Sequence, residues 1–146
     1  MNNEKIRKLN LAAPCGMFCG TCRHYLVLKK NLFKEKRFKT GCKGCRIRDK
    51  NCVFIKKPCA KLRKKEIDFC FECEEFPCAH RKRIDDIYLE RYNYDFVKNL
   101  YRIKEIGVEK WLKEQEDKWK CPECGGNICI HDYECFDCGK LFSKDR

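Results

Sequence analysis

The amino-acid sequence predicts a small α+β fold that is stabilised by bound metal, and three observations support this class. Of the 146 residues, 15 are Cys, and Leu, Ile, Val and Phe together supply only 34. So few apolar side chains make a thin hydrophobic core, which leaves part of the stability to come from elsewhere. Five pairs of Cys are separated by two residues, a spacing that suits metal binding. These features exclude a large single-core enzyme, a membrane span and a disordered tail.

Three parts of the chain differ in composition, and we interpret them as three structural units. Residues 1–80 contain ten of the Cys and form the predicted metal-binding region, with helices between its cysteines. Residues 81–119 contain no Cys and show the apolar spacing of helices that pack on this region. Residues 120–146 contain the other five Cys and form a predicted β-hairpin.

Apolar spacing predicts four helices in total. The first covers residues 23–39, where Tyr25, Leu28 and Leu32 form one stripe. Gly107 is well placed to end the third helix, because glycine tolerates the conformation that closes a helix. The stripes of the later helices are Ile84, Ile87, Tyr88 and Tyr92, then Phe96, Leu100 and Ile103, and finally Val108, Trp111, Leu112 and Trp119.

The N-terminal segment does not have the pattern of a secretory signal. Its apolar run, residues 9–13, is interrupted by Asn10 and ended by Pro14, which makes it too short. The longest uncharged stretch, residues 9–22, is shorter than the roughly 20 apolar residues that cross a bilayer. We therefore expect a cytoplasmic protein without a membrane span, in which thiols stay reduced and clustered Cys binds metal.

The last two pairs of Cys that are separated by two residues form the most clearly predicted metal site. They are Cys121, Cys124, Cys135 and Cys138. Gly125 and Gly139 directly follow the pairs and tolerate the positive φ that turns backbone N–H groups toward the sulfurs. The pattern resembles the zinc-ribbon family, in which two knuckles supply four thiolates to one Zn²⁺; rubredoxin iron sites use similar knuckles. We interpret Cys129 and His131, which lie between the pairs, as hairpin residues rather than ligands.

The first ten Cys allow several groupings into metal sites. Two four-ligand sites would use eight of them, whereas three sites would need all ten together with His24 and His80. We expect three or four Zn²⁺ ions in the whole chain. The proposed grouping joins Cys42, Cys45, Cys52 and Cys59 in one site, and brings Cys15, Cys19 and Cys22 to meet Cys70, Cys73 and Cys78.

The first three Cys also have a spacing that is known from iron–sulfur enzymes. Cys15, Cys19 and Cys22 follow the C-x3-C-x2-C pattern of radical S-adenosylmethionine enzymes. Those enzymes need a β/α barrel of about 200 or more residues, and this chain is too short for one. An iron–sulfur or thiol protein that handles metal or electrons stays open as the alternative to zinc.

Several longer motifs resemble an uncharacterised cysteine-rich family of bacteria and archaea. They are Cys15-Gly16-x2-Cys19-Gly20-x-Cys22, Gly41-Cys42-x2-Cys45, Cys59-Ala60, Cys70-x2-Cys73-Glu74-Glu75-Phe76-Pro77-Cys78 and Ile106-Gly107-Val108-Glu109-x-Trp111-Leu112. The resemblance covers nearly the whole chain and implies a zinc-binding domain of unknown function, without an activity or a substrate. It leads us to expect a second Cys near Cys52, where the chain has Ile55.

The positive charge is concentrated in the first half of the chain. The formal net charge is +12, and residues 1–65 hold 20 Lys and Arg against three acidic residues. Such a surface favours contact with nucleic-acid phosphates, although lysine-rich surfaces also keep small domains in solution. The predicted contacts are Arg46, Arg48, Lys50, Lys56, Lys57, Lys61, Arg63, Lys64 and Lys65.

The sequence contains no recognisable catalytic constellation, such as a phosphate-binding loop or a Ser/His/Asp set. Zinc that is held by four thiolates is closed, which is the usual structural arrangement. We therefore expect a non-catalytic, zinc-stabilised module that binds nucleic acid or joins a protein complex. An enzyme that works through incompletely ligated zinc is a weaker alternative, and Ile55 is its one indication.

Overall fold

The structure, a computed structural model, describes residues 3–48 and 55–144. Within these residues it has eight α-helices and two short β-strands, which confirms the predicted α+β class. None of the described helices is both long and apolar enough to cross a bilayer. The helices are α1 (Asn3–Leu9), α2 (Arg23–Lys30), α3 (Phe33–Lys36), α4 (Cys45–Arg48), α5 (Ala60–Arg63), α6 (Lys82–Tyr92), α7 (Phe96–Ile106) and α8 (Val108–Lys118). The strands are β1 (Ile128–Cys129) and β2 (Glu134–Cys135), and short 3₁₀ turns cover Cys19–Thr21, Cys70–Glu72 and Ala79–Arg81.

The three helices predicted after residue 80 are confirmed as α6, α7 and α8. Asp95 caps the start of α7, where its side chain accepts the Lys98 N–H at 3.0 Å. Gly107, with φ of +90°, ends α7, and α8 begins at the next residue. The predicted stripe of α7 is buried. On the predicted face of α8, Trp111 and Leu112 are buried.

The helix predicted over residues 23–39 is wrong in its length and in its buried face. Asn31 adopts the left-handed conformation, with φ of +52°, and separates α2 from the short helix α3. Leu26 and Val27 are fully buried, whereas Leu28 is 36% exposed. Asn tolerates this conformation better than most residues, so the helix ends here for a local reason. The spacing of apolar residues does not indicate such a break.

One hydrophobic core connects the N-terminal segment, the helices and the hairpin. Trp111 is fully buried at its centre, and Phe18 packs edge-on against it with 6.3 Å between ring centroids. Tyr94 adds a buried polar link, because its hydroxyl accepts the Phe18 N–H and donates to Gln115, both at 3.1 Å. The division of the chain after residues 80 and 119 stays a prediction.

The hairpin packs against α2 through a second, smaller hydrophobic cluster. Its buried residues are Leu26, Val27, Cys129 and Phe136. Thr21 is the polar anchor of this contact, since its hydroxyl donates to the Ile128 carbonyl at 2.6 Å and its carbonyl accepts the Ile130 N–H at 3.0 Å. Three ion pairs surround the contact: Arg23 with Asp132, Lys30 with Asp137, and Lys36 with Glu134.

Candidate metal centre

The hairpin end of the molecule brings four cysteine sulfurs together. The Sγ atoms of Cys121, Cys124, Cys135 and Cys138 all lie within 4.8 Å of one another. Cys121 and Cys138 are 3.7 Å apart at Sγ, and Cys124 and Cys135 are 3.5 Å apart. A tetrahedral zinc ion with Zn–S bonds of about 2.3 Å separates its sulfurs by about 3.8 Å. The four residues therefore fit a thiolate-bound zinc ion closely.

Two equivalent turns present these sulfurs. In each turn, a glycine N–H donates to the carbonyl of the first Cys of the pair: Gly125 to Cys121 at 2.8 Å, and Gly139 to Cys135 at 2.9 Å. Both glycines have positive φ, +76° and +81°, which the sequence pattern predicts. The pairing of β1 with β2 places Ile128 opposite Cys135 and so holds the second turn close to the first.

Backbone N–H groups face the sulfurs and favour the thiolate form. Gly126 donates to Cys124 Sγ at 3.3 Å, and Asp137 donates to Cys135 Sγ at 3.4 Å. Burial raises the pKa of Cys121, but N–H groups and neighbouring thiols outweigh it and lower the pKa to about 7. The Gly126 N–H lowers the pKa of Cys124, but burial and the three other thiols raise it to about 12. A metal ion must therefore displace protons from this cluster.

A second group of cysteines forms where the pair Cys42 and Cys45 lies against the first 3₁₀ turn. Gly44, with φ of +112°, donates its N–H to Cys42 Sγ at 3.4 Å, as Asp137 does to Cys135 in the hairpin. The Cys45 N–H lies 3.5 Å from Cys19 Sγ. Burial raises the pKa of Cys22, and the nearby Cys45 and Cys42 thiols raise it further.

A third group lines a pocket, which we call the cysteine pocket. Cys59, Cys70, Cys73 and Cys78 all contribute to its wall, together with Arg81. The pocket has a cavity volume of about 30 Å³ and is partly open to solvent. Burial raises the pKa of Cys70 to about 12, while the Arg81 guanidinium acts in the opposite direction.

This placement differs from the grouping expected for the first ten Cys. Cys59 faces Cys70, Cys73 and Cys78, whereas Cys42 and Cys45 lie beside the first 3₁₀ turn. Cys52, which the expected grouping also includes, lies outside the described residues. Within residues 3–48 and 55–144, the hairpin is the one place where three or more potential ligands approach within 4.8 Å. The ligand sets of the first ten Cys stay a prediction.

The histidines and Cys129 occupy different environments. His24 stacks on Phe38 with 5.1 Å between ring centroids, and His80 lines the cysteine pocket. His131 accepts the Arg23 N–H at Nδ1, at 3.2 Å, so its Nε2 carries the proton in the 2.8 Å contact with the Tyr88 hydroxyl. Both ring nitrogens of His131 therefore have protein partners. Cys129 is fully buried in the hydrophobic cluster beneath the hairpin.

Some of the predicted nucleic-acid contacts bond to other residues of the protein, and six of them are exposed. Arg46 donates to Asp68 at 2.8 Å and to the Ala12 carbonyl at 2.7 Å. Lys61 is exposed but lies 3.7 Å from Cys73 Sγ, and Arg63 donates to the Lys57 carbonyl. Lys56 is half-buried, and Lys50 lies outside the described residues. The exposed members are Arg48, Lys57, Lys61, Arg63, Lys64 and Lys65.

Sequence reasoning missed Arg81. The side chain is 1% exposed, and it bonds to both carboxylate oxygens of Asp85 at 2.7 and 2.8 Å and to the Cys15 carbonyl at 2.8 Å. An Arg and an Asp four residues apart form a common surface pair on helices, so the spacing did not indicate burial. The position three residues after Cys78 is the one sequence signal that could have identified it.

Comparisons with known proteins place the chain in one family. No curated protein and no solved structure matches the chain. The family model covers all ten of the first cysteines and ends before the hairpin cluster. The match agrees with the cysteine-rich family of unknown function that the sequence motifs resemble. The chain belongs to the family described as Protein of unknown function (DUF3795), whose model matches residues 11–83, half of the 146 residues.

Proposed function

We propose that the protein is a zinc-binding module in which metal has a structural role. The observation that carries this proposal is the convergence of four cysteine sulfurs at the hairpin within 4.8 Å. Four thiolates complete the tetrahedral coordination of Zn²⁺ and leave no open position for a substrate or water. This supports a structural ion rather than a catalytic one. The residues that would hold it are Cys121, Cys124, Cys135 and Cys138.

We also propose a second zinc ion for the group formed by Cys19, Cys22, Cys42 and Cys45, whose turns must draw closer together to bind it. The N–H···S contact of Gly44 with Cys42, at 3.4 Å, repeats the contact of Asp137 with Cys135 in the hairpin. Each four-thiolate zinc site changes the charge by about −2, because four thiols lose protons to one divalent ion. Three such sites would reduce the formal charge of +12 to about +6.

Elemental analysis of the purified full chain tests the structural-zinc proposal. We expect Cys138→Ser to remove one zinc equivalent, because Cys138 is an exposed member of the hairpin cluster. The matched control is Cys129→Ala, which removes a thiol outside the cluster and should leave the zinc content unchanged. Equal zinc content in wild type and Cys138→Ser would overturn the assignment. An absorption spectrum of the same sample separates colourless zinc from coloured iron sites, and visible bands would favour the redox alternative.

A nucleic-acid backbone is the second candidate, as the partner of this module. Six of the predicted cations are exposed, and four of them, Lys61, Arg63, Lys64 and Lys65, lie on α5 or directly after it. We expect binding to mixed-sequence single strands that weakens as salt rises, by about 0.7 logarithmic units of affinity per phosphate contact and per tenfold change in salt.

A matched pair of variants tests this second candidate. The double variant Lys64→Glu and Lys65→Glu should weaken binding at least tenfold. The control is the double variant Lys104→Glu and Lys110→Glu, which changes the net charge by the same amount but on α7 and α8. Equal loss in both variants would indicate a non-specific charge effect. Salt-independent binding, or no binding, would count against a nucleic acid and favour a protein partner.

A further inference from the structure

The four sulfurs of the cysteine pocket come from three separate turns. Cys59 lies directly before α5, Cys70 opens a 3₁₀ turn that Cys73 closes, and Cys78 precedes the turn that ends at Arg81. The Cys73 N–H donates to the Cys70 carbonyl at 3.1 Å, so this pair forms a compact turn of the C-x2-C kind. Cys59, Cys73 and Cys78 are half-buried and open toward the pocket.

The wall of the pocket contains a buried cation with an unused donor. Arg81 is 1% exposed, and among residues 3–48 and 55–144 its Nη1 has no hydrogen-bond partner, although Nε and Nη2 are bonded to Asp85 and to the Cys15 carbonyl. A buried N–H group without an acceptor is unfavourable, and more so when it belongs to a charged group. The Nη1 group of Arg81 is therefore available as a donor to a ligand in the pocket.

The remaining wall of the pocket is suited to an anionic metal centre. It is largely apolar because it includes Ile55, Ile67 and Phe76. A buried negative charge in the pocket therefore needs a cation close by. Arg81 supplies one, and Lys61 approaches Cys73 Sγ to 3.7 Å from the solvent side. Asp85 offsets part of the Arg81 charge, which leaves the pocket with a net positive contribution from these three side chains.

We propose that Cys59, Cys70, Cys73 and Cys78 bind a third zinc ion, and that Arg81 Nη1 donates a hydrogen bond to its thiolates. On binding, each thiol loses its proton to solvent, so one Zn²⁺ and four thiols give a centre of charge −2 and four protons. The three turns draw together around the ion, which brings the sulfurs to a separation of about 3.8 Å. Arg81 is a positioning residue and not a ligand. This inference extends the proposed structural zinc to a site whose loss is measured separately from that of the hairpin.

Zinc content of the full chain tests the ligand set. Cys73→Ser, Cys78→Ser and their double variant should each lose the same single equivalent, while the hairpin equivalent remains. Adding Cys138→Ser should remove one more. Wild-type zinc content in Cys73→Ser would overturn the pocket site. The same holds if the variant with both Cys73→Ser and Cys138→Ser contains as much zinc as Cys73→Ser alone. Wild-type content in Cys138→Ser alone would instead count against the hairpin ion, so the two failures are distinguishable.

Alkylation of the wild-type protein tests the site without depending on variants that fold. Cys59, Cys73 and Cys78 are half-buried, so they should react when zinc is removed and resist modification when it is bound. Mass spectrometry of peptides measures this difference at each position. Equal modification rates of Cys73 before and after chelation would contradict the proposal.

Arg81 is tested by a charge series with the metal affinity of the pocket as the readout. In a Cys138→Ser background, Arg81→Gln should weaken zinc retention by the pocket against a competing chelator at least tenfold, the usual effect of losing such a supporting contact. Arg81→Lys keeps the charge and should retain more of the affinity. A variant that lowers the melting temperature but leaves pocket affinity unchanged would show a purely structural role and overturn this part of the proposal.

Discussion

The hairpin and the N-terminal region use the same C-x2-C turns but assemble them in different ways. In the hairpin, two turns that are ten residues apart bring four sulfurs within 4.8 Å through the direct pairing of β1 with β2. In the N-terminal region, the cysteine turns depend on contacts with more distant segments. Cys42 donates its N–H to the His24 carbonyl at 3.1 Å, and Cys70 donates to the Pro14 carbonyl at 3.0 Å.

This difference predicts two ways of coupling metal binding to folding. The hairpin sulfurs already have the spacing of a zinc tetrahedron, so binding needs little rearrangement. The proposed site in the cysteine pocket must close from three turns, so its zinc affinity would include the cost of ordering them. Loss of the hairpin ion should therefore disturb mainly one structure, whereas loss of the pocket ion should loosen several connected turns.

The largest expected effect comes from breaking the hairpin centre. Cys135→Ser removes a fully buried sulfur of the four-cysteine cluster and should destabilise the protein on the order of 5 kcal/mol, because the proposed structural zinc would contribute directly to folding. Urea unfolding followed by tryptophan fluorescence measures this, since Trp119 packs on Tyr133 of the hairpin at 5.7 Å. Cys129→Ala controls for thiol loss. A smaller effect in Cys135→Ser than in Cys129→Ala would contradict a metal-organised hairpin.

The second effect is a pH dependence at the contact between the hairpin and the helices. Burial and the nearby Arg23 charge together lower the pKa of His131 to about 4, while Asp132 acts in the opposite direction. The unfolded chain binds a proton near pH 6.5, so this stability is complete above that pH and is lost as pH falls toward 4. The expected loss between pH 7 and pH 5 is about 2 kcal/mol.

A variant that does not titrate isolates the contribution of His131. His131→Gln keeps a hydrogen-bonding side chain but has no proton to gain in this range. Unfolding free energies of both proteins between pH 7 and pH 5 should differ in slope, with the steeper fall in wild type. Parallel curves would show that protonation of other groups, including metal-bound thiols, accounts for the whole pH dependence.

The third effect concerns the polar anchor between the two regions. Thr21→Val removes the hydroxyl that donates to the Ile128 carbonyl at 2.6 Å and leaves a buried acceptor unpaired. The expected destabilisation is about 1–2 kcal/mol. Thr21→Ser keeps the hydroxyl and should cost less. Thermal unfolding of the two variants compares them directly, and equal losses would show that the methyl group, rather than the hydrogen bond, carries the stability.

The smallest effect comes from the ion pairs around the hairpin. Lys36 and Glu134 are both partly exposed, and a double-mutant cycle of Lys36→Ala and Glu134→Ala should give a coupling of about 0.5 kcal/mol. The coupling should decrease in 1 M salt, because the exposed parts of the pair are screened. A coupling that does not change with salt would indicate that the contact of Lys36 Nζ with the Phe136 ring, at 4.3 Å, contributes more than the ion pair.

The parts of the structure that depend on local spacing were predictable from the sequence. The four-cysteine cluster follows from two pairs with glycines behind them, and Gly107 marks the junction of α7 and α8 as expected. The region around α2 was not predictable in this way. Leu28 has helical spacing with Leu32 but faces solvent, because the hairpin covers the other side of α2 at Leu26 and Val27.

The arrangement of the N-terminal cysteines could not be predicted for the same reason. Which sulfurs meet depends on how turns distant in the sequence pack, and the spacing within each pair contains no information about that. Arg81 is the clearest example: a position that reads as an ordinary surface cation is buried beside the cysteine pocket. The distribution of charges along the sequence has the same limit, because it does not show that Lys30 forms an ion pair with Asp137 of the hairpin.

Zinc content per chain is the most direct test of whether these cysteines hold structural zinc. Elemental analysis and an absorption spectrum should be recorded on one anaerobically purified sample of the full chain. We expect three zinc ions per chain and no visible absorption, with one ion lost in Cys138→Ser and another in Cys73→Ser. Less than one zinc per chain, or iron with visible absorption bands, would contradict this expectation.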